Sequence, residues 1–207
     1  DKSGLVTGLD NFESQAFDLL RSRARETFDV SKEDPRLRDR YGKSGLGSQM
    51  LMARRLCEAG VGFVTIHHGG WDMHGQIANG MKTLGTQVDH AVSTFLEDIH
   101  DRGLDRDILL VITGEFGRTP RINGSAGRDH WAPLSTLALA GGGLKMGQIV
   151  GESSAKAETP KTTPITPQDL MATVFHVLGI PQDLQYKDQS GRPTPMIVGG
   201  KPIAELV

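Results

Sequence analysis

The stretch Asp107-Ile108-Leu109-Leu110-Val111-Ile112-Thr113-Gly114-Glu115-Phe116-Gly117-Arg118-Thr119-Pro120 decides how this chain is read. Its first half is a nearly unbroken apolar run, the pattern of a strand covered on both faces in a parallel sheet. Its second half turns that strand directly into a carboxylate, a glycine and a guanidinium. Open α/β sheets bind ligands in the crevice beyond the carboxyl ends of their strands, so the polar cluster falls where a site is expected. Two further segments share its character: Gly69-Gly70-Trp71-Asp72-Met73-His74-Gly75 upstream and Gly127-Arg128-Asp129-His130-Trp131 downstream. Each sets glycines beside an acid, a histidine or an arginine. The three read as loops converging on one metal-containing site.

Outward from this core, helix and strand signals alternate. Ser48 reads as the cap of a helix from Gln49 to Ala59, with Gly60 as its stop, and Val61 to Ile66 reads as a strand leading into the Gly69–Gly75 loop. Leu84, Val88, Ala91, Val92, Phe95, Leu96 and Ile99 recur at helical spacing between Lys82 and Arg102, and Gly103 ends that pattern. A third strand is expected over Leu134 to Ala140, then an exposed hairpin or loop between Gly147 and Pro164. Thr166-Pro167-Gln168-Asp169 opens a last helix, with Thr166 capping, Pro167 in the first turn and Asp169 complementing the macrodipole, and Gly179 stops it. This order predicts a single α/β domain over residues 1–207, a largely parallel sheet flanked by helices. Residues 1–47, with helical scatter from Asn11 to Phe28, read as peripheral helices and connections.

At 207 residues the chain is long enough for one domain with a real core, and 37% of it is hydrophobic. The 23 basic against 25 acidic residues give a net charge of −2, so no basic field points to nucleic acid or an anionic membrane. The single cysteine, Cys57, has no partner for an intrachain disulfide and cannot form a thiolate metal cluster. No apolar run approaches the ~18 residues of a spanning helix. Asp1-Lys2-Ser3-Gly4 reads as neither a signal peptide nor a natural start, as in a processed or truncated chain.

Asp72 and His74 stand two apart, so on an extended loop their side chains point the same way and can clasp one cation. His130 and Glu115 would add a nitrogen and an oxygen from neighbouring loops. Mixed carboxylate and imidazole ligands suit Zn²⁺ first, with Mn²⁺, Mg²⁺ or Ca²⁺ also compatible. The bland alternatives are a turn with a surface histidine, a salt-bridged Glu115 with Arg118, and a hydrogen-bonded Asp129-His130 pair. Their joint placement after strands favours a functional site. Arg118 is the candidate for binding anionic oxygens, since its planar fork matches them, and Arg128 is a second. Asp129 is expected to orient His130 from behind. Of His67 and His68, one can face the same crevice as a further ligand or proton donor, or simply bond a backbone carbonyl. His90, His100 and His176 lie on helical segments and read as structural or solvated. Gly42-Lys43-Ser44-Gly45-Leu46-Gly47-Ser48 follows no strand and lacks the ending of a phosphate-cradling loop.

Ala53-Arg54-Arg55-Leu56-Cys57-Glu58-Ala59-Gly60-Val61, Gly70-Trp71-Asp72-Met73-His74, Gly114-Glu115-Phe116-Gly117-Arg118-Thr119-Pro120 and Gly127-Arg128-Asp129-His130-Trp131 together resemble the DUF1501 family. The resemblance runs from about Tyr41 onward and includes Asp169-Leu170-Met171-Ala172-Thr173 and Gly191-Arg192-Pro193. That family is similar to the alkaline phosphatase and sulfatase superfamily, which implies an alkaline-phosphatase-like fold and metal-dependent hydrolysis of phosphate or sulfate esters, on a small molecule or a glycan. It implies that Asp72, His74 and His130 belong to one metal site and that Glu115 falls where the superfamily has a second-metal aspartate. Phe116 stands at the next ligand position and cannot ligate. The superfamily's nucleophile belongs to an early loop that nothing in residues 1–47 matches, so the chain resembles the C-terminal half of a longer domain. Related proteins often carry a twin-arginine export signal, which implies a periplasmic or surface location. The alternative is a non-catalytic metal-binding or scaffold protein that retains the fold.

Overall fold

The computed structural model describes residues 24–207, so the expected helical scatter over residues 11–23 lies outside the described part. In chain order the elements are α1 (Ala24–Phe28), a 3-10 turn (Val30–Lys32), α2 (Pro35–Tyr41), α3 (Gly45–Glu58), α4 (Ile77–Gly80), a π turn (Met81–Gly85), α5 (Thr86–Asp101), β1 (Leu109–Ile112), β2 (Gly117–Arg118), β3 (His130–Trp131), β4 (Ala138–Gly141), α6 (Pro167–Val177), β5 (Gln185–Lys187) and β6 (Pro193–Pro195). Among the described residues the contacts gather into two compact units, one of residues 24–69 together with Thr86–Glu97, the other of Gly70–Gly85 and Asp98–Val207. No helix among the described residues is long and apolar enough to cross a membrane.

The first unit is helical. Asp34 caps α2 by accepting from the Arg36 amide at 2.7 Å, and Pro35 occupies the first helical position, where its missing N–H costs nothing. The cap of α3 is Ser44, whose hydroxyl accepts from Gly47 at 3.0 Å, rather than the expected Ser48. Burial explains the shift: carrying the helix back one turn places Leu46 beside Met50 and Leu51 in the core. Helix α3 packs on α1 and α2, where Leu37 and Tyr41 are buried. Among these apolar groups Arg54 is 1% exposed. It is held by Glu33 at 2.5 Å and Glu58 at 2.6 Å, and Arg55 reaches the same Glu33 carboxylate at 2.9 Å.

Residues Val61 to Ile66 follow and do not form the expected strand. Burial alternates there as on a strand, Val64 and Ile66 half-buried against exposed Phe63 and Thr65, yet no ladder forms on the segment among the described residues. A β-branched run sets the pleat but not the neighbour that completes a ladder.

The second unit is mixed α/β. Strand β1 pairs antiparallel with β4 from Leu109↔Gly141 to Ile112↔Ala138, β2 pairs antiparallel with β3, and β5 with β6. The largely parallel sheet read from the sequence is therefore corrected: every strand pair among the described residues is antiparallel, in three two-stranded sheets. Parallel neighbours need a crossover, usually a helix. Here the connection from β1 to β4 is spent on loops and on the β2–β3 pair, so the chain turns back instead of crossing over. β1 is correspondingly half-buried at each position rather than covered on both faces.

Other expectations hold. A hairpin forms around the Ser153↔Pro160 bridge. Thr166 and Asp169 make a reciprocal capping box on α6, with Pro167 at the first position. The C-terminal tail docks on that helix: the Lys201 amide donates to Asp169 Oδ1 at 2.9 Å and the Ile203 amide to the buried Thr173 hydroxyl at 2.9 Å.

Candidate metal centre

The site lies within the second unit and is built by two segments laid side by side. Trp71–Gly75 turns tightly, with the Met73 amide on Trp71 O at 2.8 Å and the His74 amide on Asp72 O at 3.1 Å. It meets the 123–128 loop through a Gly75↔Ala126 bridge, with the Gln76 amide on Ser125 O at 3.0 Å and the Arg128 amide on Met73 O at 3.1 Å. Gly127 is buried at this approach, and a Cβ there would collide with the His74 carbonyl. The β2–β3 register places Arg118 directly opposite His130. Gly117 sits where a Cβ would strike the Leu134 carbonyl, so glycine is what lets β2 lie this close to the following turn.

Three side chains then converge. Asp72 Oδ1 lies 2.9 Å from His130 Nε2 and 3.1 Å from His74 Nε2, and the two Nε2 atoms are 3.2 Å apart. Among the described residues this Asp72, His74, His130 group is the set that could hold a metal ion. Glu115 is exposed on the bend before β2 and is not part of it. Arg118 aims Asp72: its Nη2 donates to Asp72 Oδ1 at 2.8 Å and to Trp71 O at 3.0 Å, and its Nη1 to Arg128 O at 3.1 Å. The His130 and Arg118 hydrogen bonds, in that order, hold the Asp72 carboxyl down at about 2, well below the usual 3.8.

Asp129 was expected behind His130 and is instead behind His74, with Oδ1 2.7 Å from His74 Nδ1. Consecutive residues entering an extended strand point to opposite sides, so Asp129 and His130 grip opposite nitrogens of the same His74 ring. The bonds from His74 first and Asn123 second hold the Asp129 carboxyl below its ordinary range. A carboxylate only accepts, so His74 Nδ1–H donates to Asp129 Oδ1 and, by the same rule, His130 Nε2–H donates to Asp72 Oδ1, with His74 Nε2 turned towards His130. Phe116 is half-buried, its ring packed against His130 at a 37° tilt with centroids 4.2 Å apart. Arg128 is turned to the backbone, its Nη1 donating to Thr119 O at 2.5 Å and Pro120 O at 2.7 Å. His90, His100 and His176 are exposed on their helices, as expected.

The donor set fits a divalent ion: two neutral imidazole nitrogens and one carboxylate oxygen. Tetrahedral ligands at Zn–N distances of ~2.0–2.1 Å stand ~3.3–3.4 Å apart, and octahedral ligands at ~2.1 Å stand ~3.0 Å apart. The observed triangle, with edges of 2.9, 3.1 and 3.2 Å, is close to both. The supporting Asp129 carboxylate on a ligand imidazole is the arrangement that orients metal-binding histidines. Asn123 escaped the sequence reading, although the Asn123-Gly124 pair is a turn signal.

A family model described as Protein of unknown function (DUF1501) matches residues 4–207, and the chain belongs to that family. No curated protein and no solved structure matches it.

Proposed function

We propose that the chain is a metal-dependent hydrolase of phosphate or sulfate esters, related in chemistry to the alkaline phosphatases and sulfatases, with Asp72, His74 and His130 holding the ion. The observation that carries the reading is the convergence of the three ligand atoms within 3.2 Å of one another on an exposed face. A divalent ion there, Zn²⁺ first, supplies Lewis-acid stabilisation of the charge that develops on ester oxygens. The chain's own groups bind and orient. Arg118 fixes the Asp72 carboxylate, and its Nε–H and second Nη1–H are left for the anionic oxygens of a small ester or a glycan ester. Arg128 braces the Thr119–Pro120 turn. Glu115 stands apart, so the reading needs one ion and not two. An exported location belongs to the same reading.

A binding protein without turnover is the second reading. It is favoured by Phe116, whose ring covers one side of His130, and by the absence of an activated nucleophile among the gathered residues. Zn²⁺, Mn²⁺ and Co²⁺ titrations together with hydrolysis of p-nitrophenyl phosphate and p-nitrophenyl sulfate separate the two. The hydrolase reading expects one ion per chain and slow, metal-dependent turnover, both lost in His130→Ala. One bound ion with no turnover selects the binding protein, and no bound ion removes both readings.

A further inference from the structure

The Asn123 side chain uses every hydrogen-bonding position it has. Oδ1 accepts from the Ser125 and Gly127 amides, each at 3.0 Å, while Nδ2 donates to His74 O at 3.0 Å and to Asp129 Oδ1 at 3.1 Å. A carboxamide offers two lone pairs and two N–H groups, so it is saturated, and its orientation is fixed by which partners can only give or only accept. The acceptor side shapes its own turn. The donor side leaves that turn for the other ligand-bearing segment, reaching both the backbone of His74 and the carboxylate that holds the His74 ring.

We propose that Asn123 is the positioning residue of this centre: by bridging His74 O and Asp129 it locks His74 in the Nδ1–H tautomer, with Nε2 bare towards Asp72 and His130. The inference rests on the metal-site reading for its purpose, but not for its geometry. Asn is the residue the job requires. Aspartate would keep the turn, since an oxygen would still face Ser125 and Gly127. It would also replace both donors by an acceptor, setting a second carboxylate against Asp129 Oδ1 and an oxygen against the His74 carbonyl. The bridge would then become a repulsion. Alanine would remove turn and bridge together, which is why aspartate is the sharper probe.

The test uses the whole chain, labelled with ¹⁵N at histidine. Long-range ¹H–¹⁵N correlation of the metal-free protein at pH 8.5 reads the His74 tautomer, and titration with Co²⁺, followed by its visible absorption, reads affinity and coordination. The wild type is expected to show His74 as Nδ1–H. Asn123→Asp is expected to shift it to a mixture or to Nε2–H, to weaken Co²⁺ by about 10- to 100-fold and to change the absorption band. Asp129→Ala cuts the same link from the other end, since Asp129 Oδ1 accepts both bonds, and decides the matter should Asn123→Asp fail to fold. Its effect on Co²⁺ should not add to that of Asn123→Asp in the double variant. An unchanged tautomer with Co²⁺ affinity within about twofold of wild type would make Asn123 a turn residue only and overturn the proposal. If the wild type takes up no Co²⁺, the metal reading fails separately, and the tautomer measurement still rules for or against Asn123.

Discussion

Two charge clusters in this molecule are built alike and placed oppositely. In the first unit Arg54 and Arg55 share Glu33 at 2.5 and 2.9 Å, and the Arg54 side chain is 2% exposed. In the second unit Asp72 is shared by Arg118, His130 and His74 at 2.8, 2.9 and 3.1 Å, yet its side chain is 70% exposed. Burial changes what the same bonds are for. A buried guanidinium must be neutralised or the helices around it cannot close, so the Glu33 network is part of the architecture. Ion pairs as exposed as those of Asp72 contribute little to stability, because water screens them and competes for both partners. Four ionisable groups aimed at one exposed point are therefore explained by what they bind rather than by what they hold together.

The sharpest way to break this comparison is to remove one member of each cluster. Glu33→Ala leaves buried Arg54 with the Glu58 carboxylate and Arg55 with the Thr27 and Glu26 carbonyls, and is expected to cost about 3 kcal/mol in urea unfolding, the low end for breaking a buried pair. His130→Ala is expected to cost no more than about 1 kcal/mol. The metal response should run the other way. Zn²⁺ at a hundred times its dissociation constant should raise wild-type stability by about 2.7 kcal/mol, Glu33→Ala should keep that increment, and His130→Ala should lose it. Equal costs for the two substitutions would show that the exposed cluster is architectural after all.

A smaller effect tests the electrostatics of the site in the metal-free protein. The Asp72 carboxyl is held at about 2, first by the His130 hydrogen bond and then by Arg118. Its folded value lies below the ordinary 3.8, so its contribution to stability is fully present above about pH 4 and is lost as pH falls through about 2. Asp129, Asp169, Asp188 and Asp29 are lowered too, so bulk acid unfolding does not isolate it. Carboxyl ¹³C shifts do. The Asp72 midpoint should fall near 2 and return towards 3.8 in Arg118→Ala and further in His130→Ala; a midpoint already at 3.8 in the wild type would mean that the three contacts are not held in solution.

The two clusters also differ in how far the sequence announced them. Asp72, His74 and His130 were legible because glycines and ligand types recur on short segments after apolar runs, and the structure gathers all three. Helix α6 was legible for a similar reason, since Thr166, Pro167 and Asp169 act within one turn of each other. What failed to read was pairing at a distance. Leu109 to Ile112 declares a strand but not that β4 returns beside it antiparallel. Val61 to Ile66 declares an extended backbone without a ladder to join. Asp129 was placed behind the wrong histidine, because its partner is decided by the approach of the Trp71–Gly75 segment and not by its neighbour in sequence. The Glu33 network joins residues 21 and 22 positions apart and left no periodic trace.

The last difference between the regions is in the backbone, and it gives the smallest expected effect. Among the described residues Gln76, Ala126 and Ala157 are the non-glycines at positive φ, and Gln76 at 48° and Ala126 at 57° meet at the bridge that joins the two ligand-bearing segments. The Ile77 amide bonds to Ala126 O at 2.9 Å, so this conformation is what lets the two segments exchange hydrogen bonds. A left-handed alanine costs ~1–2 kcal/mol, which glycine does not incur. Glycine in turn loses ~0.5–1 kcal/mol more conformational entropy on folding. Ala126→Gly is therefore expected to stabilise the protein by about 0.5 kcal/mol in urea unfolding, with Co²⁺ affinity within about twofold of wild type. A loss of stability would show that the Ala126 conformation carries no strain. A gain accompanied by weaker Co²⁺ binding would show that the strain is what keeps His74 turned towards Asp72 and His130, and would move the origin of the site's geometry from its side chains to its backbone.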